Sequence, residues 1–256
     1  MIVELTLAVA AVFAQPVTLP PSMRTLEPTP TTLTLTTEDG VDIAAVYMPA
    51  ACAEGELKPA VIMVHGGGRS KERWWEVGLV QALEGRAHVI AFDIRRFGVS
   101  GTGDLERLQR EPWIAHHELE AAYDWIRAQP GVDPSRLALI GSSYGANLSA
   151  YLMTTHDLEI GSVVFLSATR VAPLFIERSG DPVHDINADC LIMASNRELE
   201  RYQADETAAY LAERVAGEKE VIVYEGPHHA AGILAGVDGA LETVTEWLRQ
   251  ELAIVE

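Results

Sequence analysis

The sequence predicts an α/β fold: a mainly parallel sheet of about eight strands, helices on both faces, and an antiparallel hairpin at its start. Three observations carry this expectation. Short apolar runs alternate with helix-period segments from Ala60 to the end of the chain. Two strand-like runs ahead of them flank the turn signal Glu38-Asp39-Gly40, as a hairpin requires. A length of 256 residues, 48% of them hydrophobic, is enough for one large core.

Taken in order, Ile2–Ala14 is mostly apolar, too short to span a bilayer, and ends Val12-Phe13-Ala14 before Gln15. The pattern suits a signal peptide cleaved after Ala14 and hence an exported, periplasmic or secreted protein. Glu4 and the absence of Lys or Arg before the apolar run depart from a secretory start. A cytoplasmic protein with an apolar arm is the alternative. Residues 15–30 carry five prolines and no periodicity, an extended lead-in to one domain over residues 31–256.

Thr31–Thr37 and Val41–Met48 form the expected hairpin, and Pro49–Pro59 a loop. Ala60–Val64 is a continuous apolar run, the mark of a strand covered on both faces, and His88–Phe92 repeats it. Between them, Trp75–Leu83 places Val77, Val80 and Leu83 on one side of a helix. Ile94–Arg110 reads as a polar loop. Pro112 opens a helix to Ala128, stopped by Pro130-Gly131. Leu137–Ile140 leads as a strand into Gly141-Ser142-Ser143-Tyr144-Gly145, and helix-forming Ala146–Met153 follows. Val163–Leu166, Leu191–Ala194 and Val221–Tyr224 are further strands, with a helix over Gln203–Val215. Leu241–Leu252 closes the chain with Leu241, Val244, Trp247, Leu248 and Leu252 as an apolar stripe.

Composition narrows the function. With 19 basic and 37 acidic residues the formal charge is -18, so the surface repels phosphate backbones and nucleic acid is excluded as a partner. No stretch is long enough for a stable membrane span. Cys52 and Cys190 show neither metal spacing nor a disulfide framework, and Cys190, opening an apolar run, is expected as a buried thiol. The oligomeric state is not encoded in any of these features.

In open sheets of this type ligands bind beyond the carboxyl ends of the strands. His65-Gly66-Gly67-Gly68, Asp93, Ser143, Ser195-Asn196-Arg197-Glu198 and Gly226-Pro227-His228-His229 all fall there. A hydroxyl, an acid and histidines therefore reach one rim in that chain order. G-x-S-x-G between a strand and a helix holds Ser143 on a sharp turn at a helix N-terminus, and glycines at 141 and 145 allow close approach. Ser143 becomes a nucleophile when a histidine takes its proton and a carboxylate orients that histidine. The oxyanion formed on an attacked carbonyl needs two preorganised donors. The Tyr144 amide is one; Gly67 is the expected second, with Gly68 its neighbour. His65 is expected to brace its loop, and His116 and His117 to lie on the helix surface or in helix packing. Spacing alone does not choose between His228 and His229. Trp74, Trp75 and Trp113 are candidates for the pocket wall, with core packing the commoner fate.

These residues resemble the α/β-hydrolase family, especially its lidless dienelactone-hydrolase-like and prolyl-oligopeptidase-like branches. The likeness runs from about Thr36 to the C-terminus. It rests on T-T-E-D-G-V-D-I, V-I-M-V-H-G-G-G, F-D-I-R-R-F-G-V-S at Phe92–Ser100, and Y-D-W-I-R-A-Q-P-G-V-D-P-S-R-L-A-L-I-G-S-S-Y-G-A at Tyr123–Ala146. The resemblance implies the α/β-hydrolase fold without a large lid, since Ala168 to Asp189 is short. It implies Ser143 as nucleophile, Tyr144 as oxyanion donor, Glu198 as acid with Asp205 as fallback, and His229 as base. Arg96 stands where many members have glycine. Dienelactone hydrolases have a cysteine nucleophile, which serine at 143 argues against. The implied activity is a serine hydrolase cleaving small or flexible carboxylic esters, with no metal or organic cofactor. An exopeptidase or amidase is the alternative within enzymes, and a catalytically silent ligand-binding member the alternative outside them.

Overall fold

The computed structural model describes residues 29–254. The candidate signal peptide at 1–14, and nearly all of the proline-rich lead-in, lie outside the described residues. Eight strands form one sheet: β1 (Thr31–Thr36), β2 (Asp42–Met48), β3 (Lys58–Val64), β4 (His88–Phe92), β5 (Val132–Ser142), β6 (Ser162–Leu166), β7 (Asp189–Ser195) and β8 (Lys219–Tyr224). Their spatial order is β1-β2-β4-β3-β5-β6-β7-β8. β2 pairs antiparallel with β1 and β4, and every other neighbouring pair is parallel. Parallel neighbours bring the carboxyl ends of six strands, β3 to β8, to one rim, where the site forms.

The continuous apolar runs arise because central strands are buried on both faces. Ala60, Ile62 and Val64 of β3 enter one core, and Val61 and Met63 the other, as the two-residue period of a strand dictates. The first core is closed by α4 (His116–Arg127), α5 (Tyr144–Thr155), α6 (Val171–Ser179) and α7 (Ala204–Arg214). The second is closed by α1 (Arg73–Glu76), α2 (Leu79–Leu83), α8 (Gly232–Gly236) and α9 (Ala240–Glu251). Each large apolar side chain buried in this way contributes about 1.5–3 kcal/mol. Cys190 is buried as expected, which pushes its thiol up to about 12.

Several elements differ from the sequence expectation: α6 and α8 are not part of it, β5 starts already at Val132, and three further differences have a plain physical reason. The helix expected over Trp75–Leu83 is two short helices, because Gly78 sits between them at φ 82° and breaks the run. The helix expected from Pro112 starts as a 3₁₀ turn, Pro112–Ala115, and becomes α-helical only at His116. The polar loop contains α3 (Leu105–Arg110), whose Asp104 cap accepts from the Arg107 amide at 2.9 Å. β8 is an edge strand, so Val221 and Val223 face solvent while Ile222 and Tyr224 pack inward.

The connection after β4 is fixed by buried charge. Asp93 accepts from the Lys71 ammonium at 2.7 Å and from the amides of Lys71 and Val99. Arg95 is buried between Glu118, reached by its Nε at 2.5 Å, and Asp39, gripped by both terminal nitrogens at 2.8 and 2.9 Å. The burial of Asp39 opposes ionisation, but the hydrogen bonds from Arg95 and Thr37 outweigh it and hold the carboxyl at about 2. Among the described residues no helix is long and apolar enough to cross a membrane.

Candidate active site

β5 ends at Ser142, and α5 starts at Tyr144, so Ser143 alone makes the turn between strand and helix. It does so at φ 51° and ψ −110°, a conformation that costs a non-glycine residue of order 1–3 kcal/mol. The surrounding packing imposes it. The Ser143 amide donates to Leu166 O at 2.8 Å, and its carbonyl accepts from the Asn147 amide at 2.9 Å. A Cβ on Gly145 would strike the carbonyl oxygens of Val64 and His65, the latter at 2.7 Å. One on Gly141 would lie 2.6 Å from Ser149 Oγ. Both flanking glycines of the pentapeptide are thus required by close approach.

The hydroxyl of Ser143 donates to His229 Nε2 at 2.8 Å. His229 Nδ1–H donates in turn to Glu198 Oε2. The Glu198 side chain is only 3% exposed, and its other oxygen accepts from Ser167 Oγ at 2.7 Å and from the Ser195 amide at 2.9 Å. Three loops, following β5, β7 and β8, therefore deliver one continuous hydroxyl–imidazole–carboxylate chain. Asp205, the fallback acid, is exposed in the first turn of α7 and has no such contact. His228 turns away and packs its ring against Gly236 at the end of α8.

The two expected amide donors stand beside the serine. Gly67 and Tyr144 both line a cavity of about 710 Å³ that opens on Ser143 and His229, and Gly68 does not line it. A Cβ on Gly67 would lie 3.8 Å from that of Tyr144. Neither amide is engaged by a hydrogen bond among the described residues. His65 braces this loop, as expected: its Nδ1–H donates to Gly66 O at 2.7 Å and its Nε2 accepts from the Ile94 amide at 3.0 Å. Burial holds its pKa below the usual histidine range, so the ring stays neutral and the pair of bonds persists.

Two residues of the site escaped the sequence reading. Ser167 is fully buried at φ 49°; it donates to Glu198 and accepts from the Ala230 amide at 2.8 Å, tying the acid to the loop that carries His229. The strand-end rule contains the signal for it, because Ser167 directly follows β6. Tyr202 stacks on the His229 ring with centroids 4.3 Å apart and planes 14° from parallel. Nothing in its sequence surroundings marks it. The tryptophans take the commoner fate: Trp74 is fully buried, Trp75 packs on the second core, and Trp113 packs edge-on to Phe175 at 6.2 Å.

Charge distinguishes the rest of the cavity. Arg69, Arg73 and Arg170 line it, and no aspartate or glutamate does. Arg73 pairs with Glu76 at 3.0 Å, whereas the guanidinium groups of Arg69 and Arg170 have no carboxylate partner among the described residues. A chain of formal charge -18 therefore presents a locally cationic mouth at this one rim.

Known proteins agree with this architecture. The sequence profile of the alpha/beta hydrolase fold matches residues 59–187. Protein YfhR of Salmonella typhi is 33% identical over 133 residues, covering 50% of this chain and 42% of YfhR. Protein YcjY of Escherichia coli K12 is 26% identical over 145 residues, covering 57% and 46%. The chain thus spans less than half the length of these curated relatives. Among solved structures, the Pyrococcus furiosus esterase Pf2001 superposes with a TM-score of 0.65 at 20% identity, over 88% of this chain and 94% of the esterase. The dienelactone hydrolase of Anabaena variabilis gives 0.62 at 16% identity, over 90% and 100%. Identities this low speak for the fold alone. The profile match extends over half of the chain and includes the Ser143 turn, and on that ground the chain belongs to the α/β-hydrolase family.

Proposed function

We propose that this protein is a serine hydrolase that cleaves carboxylic esters through a covalent acyl-enzyme. The observation that carries the reading is the unbroken chain Ser143 Oγ–H to His229 Nε2 to Glu198. His229 takes the Ser143 proton as Oγ attacks the ester carbonyl, and the amides of Gly67 and Tyr144 receive the oxyanion. When the tetrahedral adduct collapses, His229 returns that proton to the departing alcohol and an acyl-Ser143 remains. Water then gives a proton to His229 as its oxygen attacks the acyl carbon. Collapse frees the acid and restores Ser143. Glu198 keeps Nδ1 protonated and stabilises the imidazolium throughout. A catalytically silent role is disfavoured by the preserved geometry, since a binder has no need of a strained serine.

The cationic lining points to the substrate class. Two arginines without a carboxylate partner among the described residues, and no acid among the described residues that line the cavity, favour an ester that carries a separate carboxylate, as in a dicarboxylate half-ester. Monomethyl adipate against methyl hexanoate, followed by proton release, tests this with chains of equal length. The half-ester is expected to show kcat/KM about tenfold higher, one hydrogen bond to a charged group being worth about 1.5–3 kcal/mol. Arg69→Ala/Arg170→Ala should erase the preference through KM. Equal or better turnover of the neutral ester would overturn the substrate assignment and leave the hydrolase reading standing, while turnover of neither would count against both.

A further inference from the structure

On the face of the sheet that carries α4 and α5, three histidine rings and one carboxylate gather without a role in the chemistry above. His116 and Glu120 lie one turn apart on α4, and His156 follows the last residue of α5. His116 Nε2 stands 3.5 Å from Glu120 Oε2, and His156 Nε2 stands 3.6 Å from Glu120 Oε1. The three ligand atoms all fall within 4.8 Å of one another.

The tautomers are dictated by the partners. His116 Nδ1 faces the Trp113 carbonyl at 3.0 Å, which can only accept, so Nδ1 carries the proton. His156 Nδ1 faces Thr155 Oγ1 at 2.8 Å, and that hydroxyl already donates to Tyr151 O at 2.7 Å. Nδ1 of His156 is therefore a donor as well. In the neutral rings both Nε2 atoms then turn bare lone pairs toward one carboxylate. Separations of 3.5 and 3.6 Å are too long for N–H···O hydrogen bonds, which run at about 2.7–3.2 Å. They match neighbouring ligands around one tetrahedral ion: zinc bonds of about 2.0–2.2 Å place such atoms roughly 3.3 Å apart. An Nδ1–H given to a backbone carbonyl or a hydroxyl is also how metal-binding histidines are oriented.

From this geometry we infer that His116, Glu120 and His156 form a binding site for a divalent, zinc-type cation. His117 donates to Glu120 Oε2 at 3.0 Å and orients the carboxylate. Access is from the surface: the Glu120 and His156 side chains are 26% and 30% exposed, and Glu120 and His117 line a cavity of about 670 Å³ beside β1. Three protein ligands leave a fourth position to water. The site joins the start of α4 to the end of α5, so the ion acts as a clip between two helices of one core.

Titration of the chelator-stripped full chain with Zn²⁺ alone tests the inference, read by calorimetry and by bound metal per chain. We expect one ion per chain and a higher Tm when it is bound, with visible absorption of a low-symmetry site when Co²⁺ replaces Zn²⁺. His156→Gln and Glu120→Gln, both at partly exposed side chains, should weaken binding by at least about 100-fold. Thr155→Val removes the acceptor that sets the His156 tautomer and should cost about 10-fold or more. Circular dichroism confirms that each variant is folded, and His116 is left intact because it is the most buried member. Unchanged Zn²⁺ affinity in His156→Gln, or no stoichiometric binding by the folded wild-type chain, would overturn the assignment and leave a hydrogen-bonded histidine cluster.

Discussion

Replacing Ser167 by alanine removes a hydroxyl that touches no substrate-facing atom, yet it is expected to impair turnover. The Ser167 hydroxyl donates to Glu198 Oε1 at 2.7 Å and accepts from the Ala230 amide at 2.8 Å. A hydrogen bond to a charged group contributes about 1.5–3 kcal/mol, and the orphaned buried amide costs a further 1–3 kcal/mol. Stability should fall by roughly 2.5–6 kcal/mol, read by urea denaturation. Glu198 keeps the Ser195 amide and His229, so the acid is loosened rather than lost. If about 1.4–2.8 kcal/mol of that loosening reaches the transition state, kcat falls 10- to 100-fold with KM nearly unchanged. Ser167→Cys retains a weak donor and should recover part of the loss. Threonine is a poor rescue, because β-branching is strained at φ 49°. A folded Ser167→Ala enzyme with kcat within about twofold of wild type would refute the idea that this hydroxyl positions the acid.

Three further outcomes follow from the same geometry. His229→Ala should lower p-nitrophenyl acetate turnover by at least about 1,000-fold, while His228→Ala, whose ring packs on Gly236, should stay within about threefold of wild type; the reverse result would move the base. Gly145→Ala drives a methyl group against the Val64 and His65 carbonyls and should destabilise the protein by roughly 3 kcal/mol or more, so an unchanged denaturation midpoint would contradict the packing described. Asp39 is held at about 2 against an ordinary 3.8, so its contribution to stability is present above about pH 4 and disappears as pH falls toward 2. Screening at this surface position reduces that contribution to about 1 kcal/mol. Asp39→Asn should accordingly be less stable than wild type at pH 7 and equal to it near pH 2, and a gap that persists at pH 2 would show that Asp39 acts without its charge.

The sheet was legible because its central strands are buried on both faces, which forces continuous apolar runs such as Ala60–Val64 and His88–Phe92. The Ser143 turn was legible for a steric reason, since both glycines are dictated by contacts under 3 Å and leave a fixed spacing in the chain. Helix breaks were harder to see. Gly78 interrupts an apolar stripe whose periodicity continues across it, so the stripe reads as one helix. The choice between His228 and His229 depends on which ring points along the rim, and one residue of spacing carries no such information. Arg96, where the family resemblance implies glycine, has φ 72°, the left-handed conformation that glycine favours. Ser167 and Tyr202 meet Glu198 and His229 through contacts made only after β6, β7 and β8 align, and the histidine cluster likewise joins α4 to a residue 36 positions beyond Glu120.

The central claim is that the hydroxyl of residue 143 is activated by its imidazole–carboxylate chain. A fluorophosphonate probe followed by intact mass and peptide mapping reads this directly. Wild-type protein should gain one phosphonyl adduct, on Ser143, and both Ser143→Ala and His229→Ala should stay unlabelled. A folded wild-type chain that takes up no probe, or takes it up at another residue, would contradict the claim.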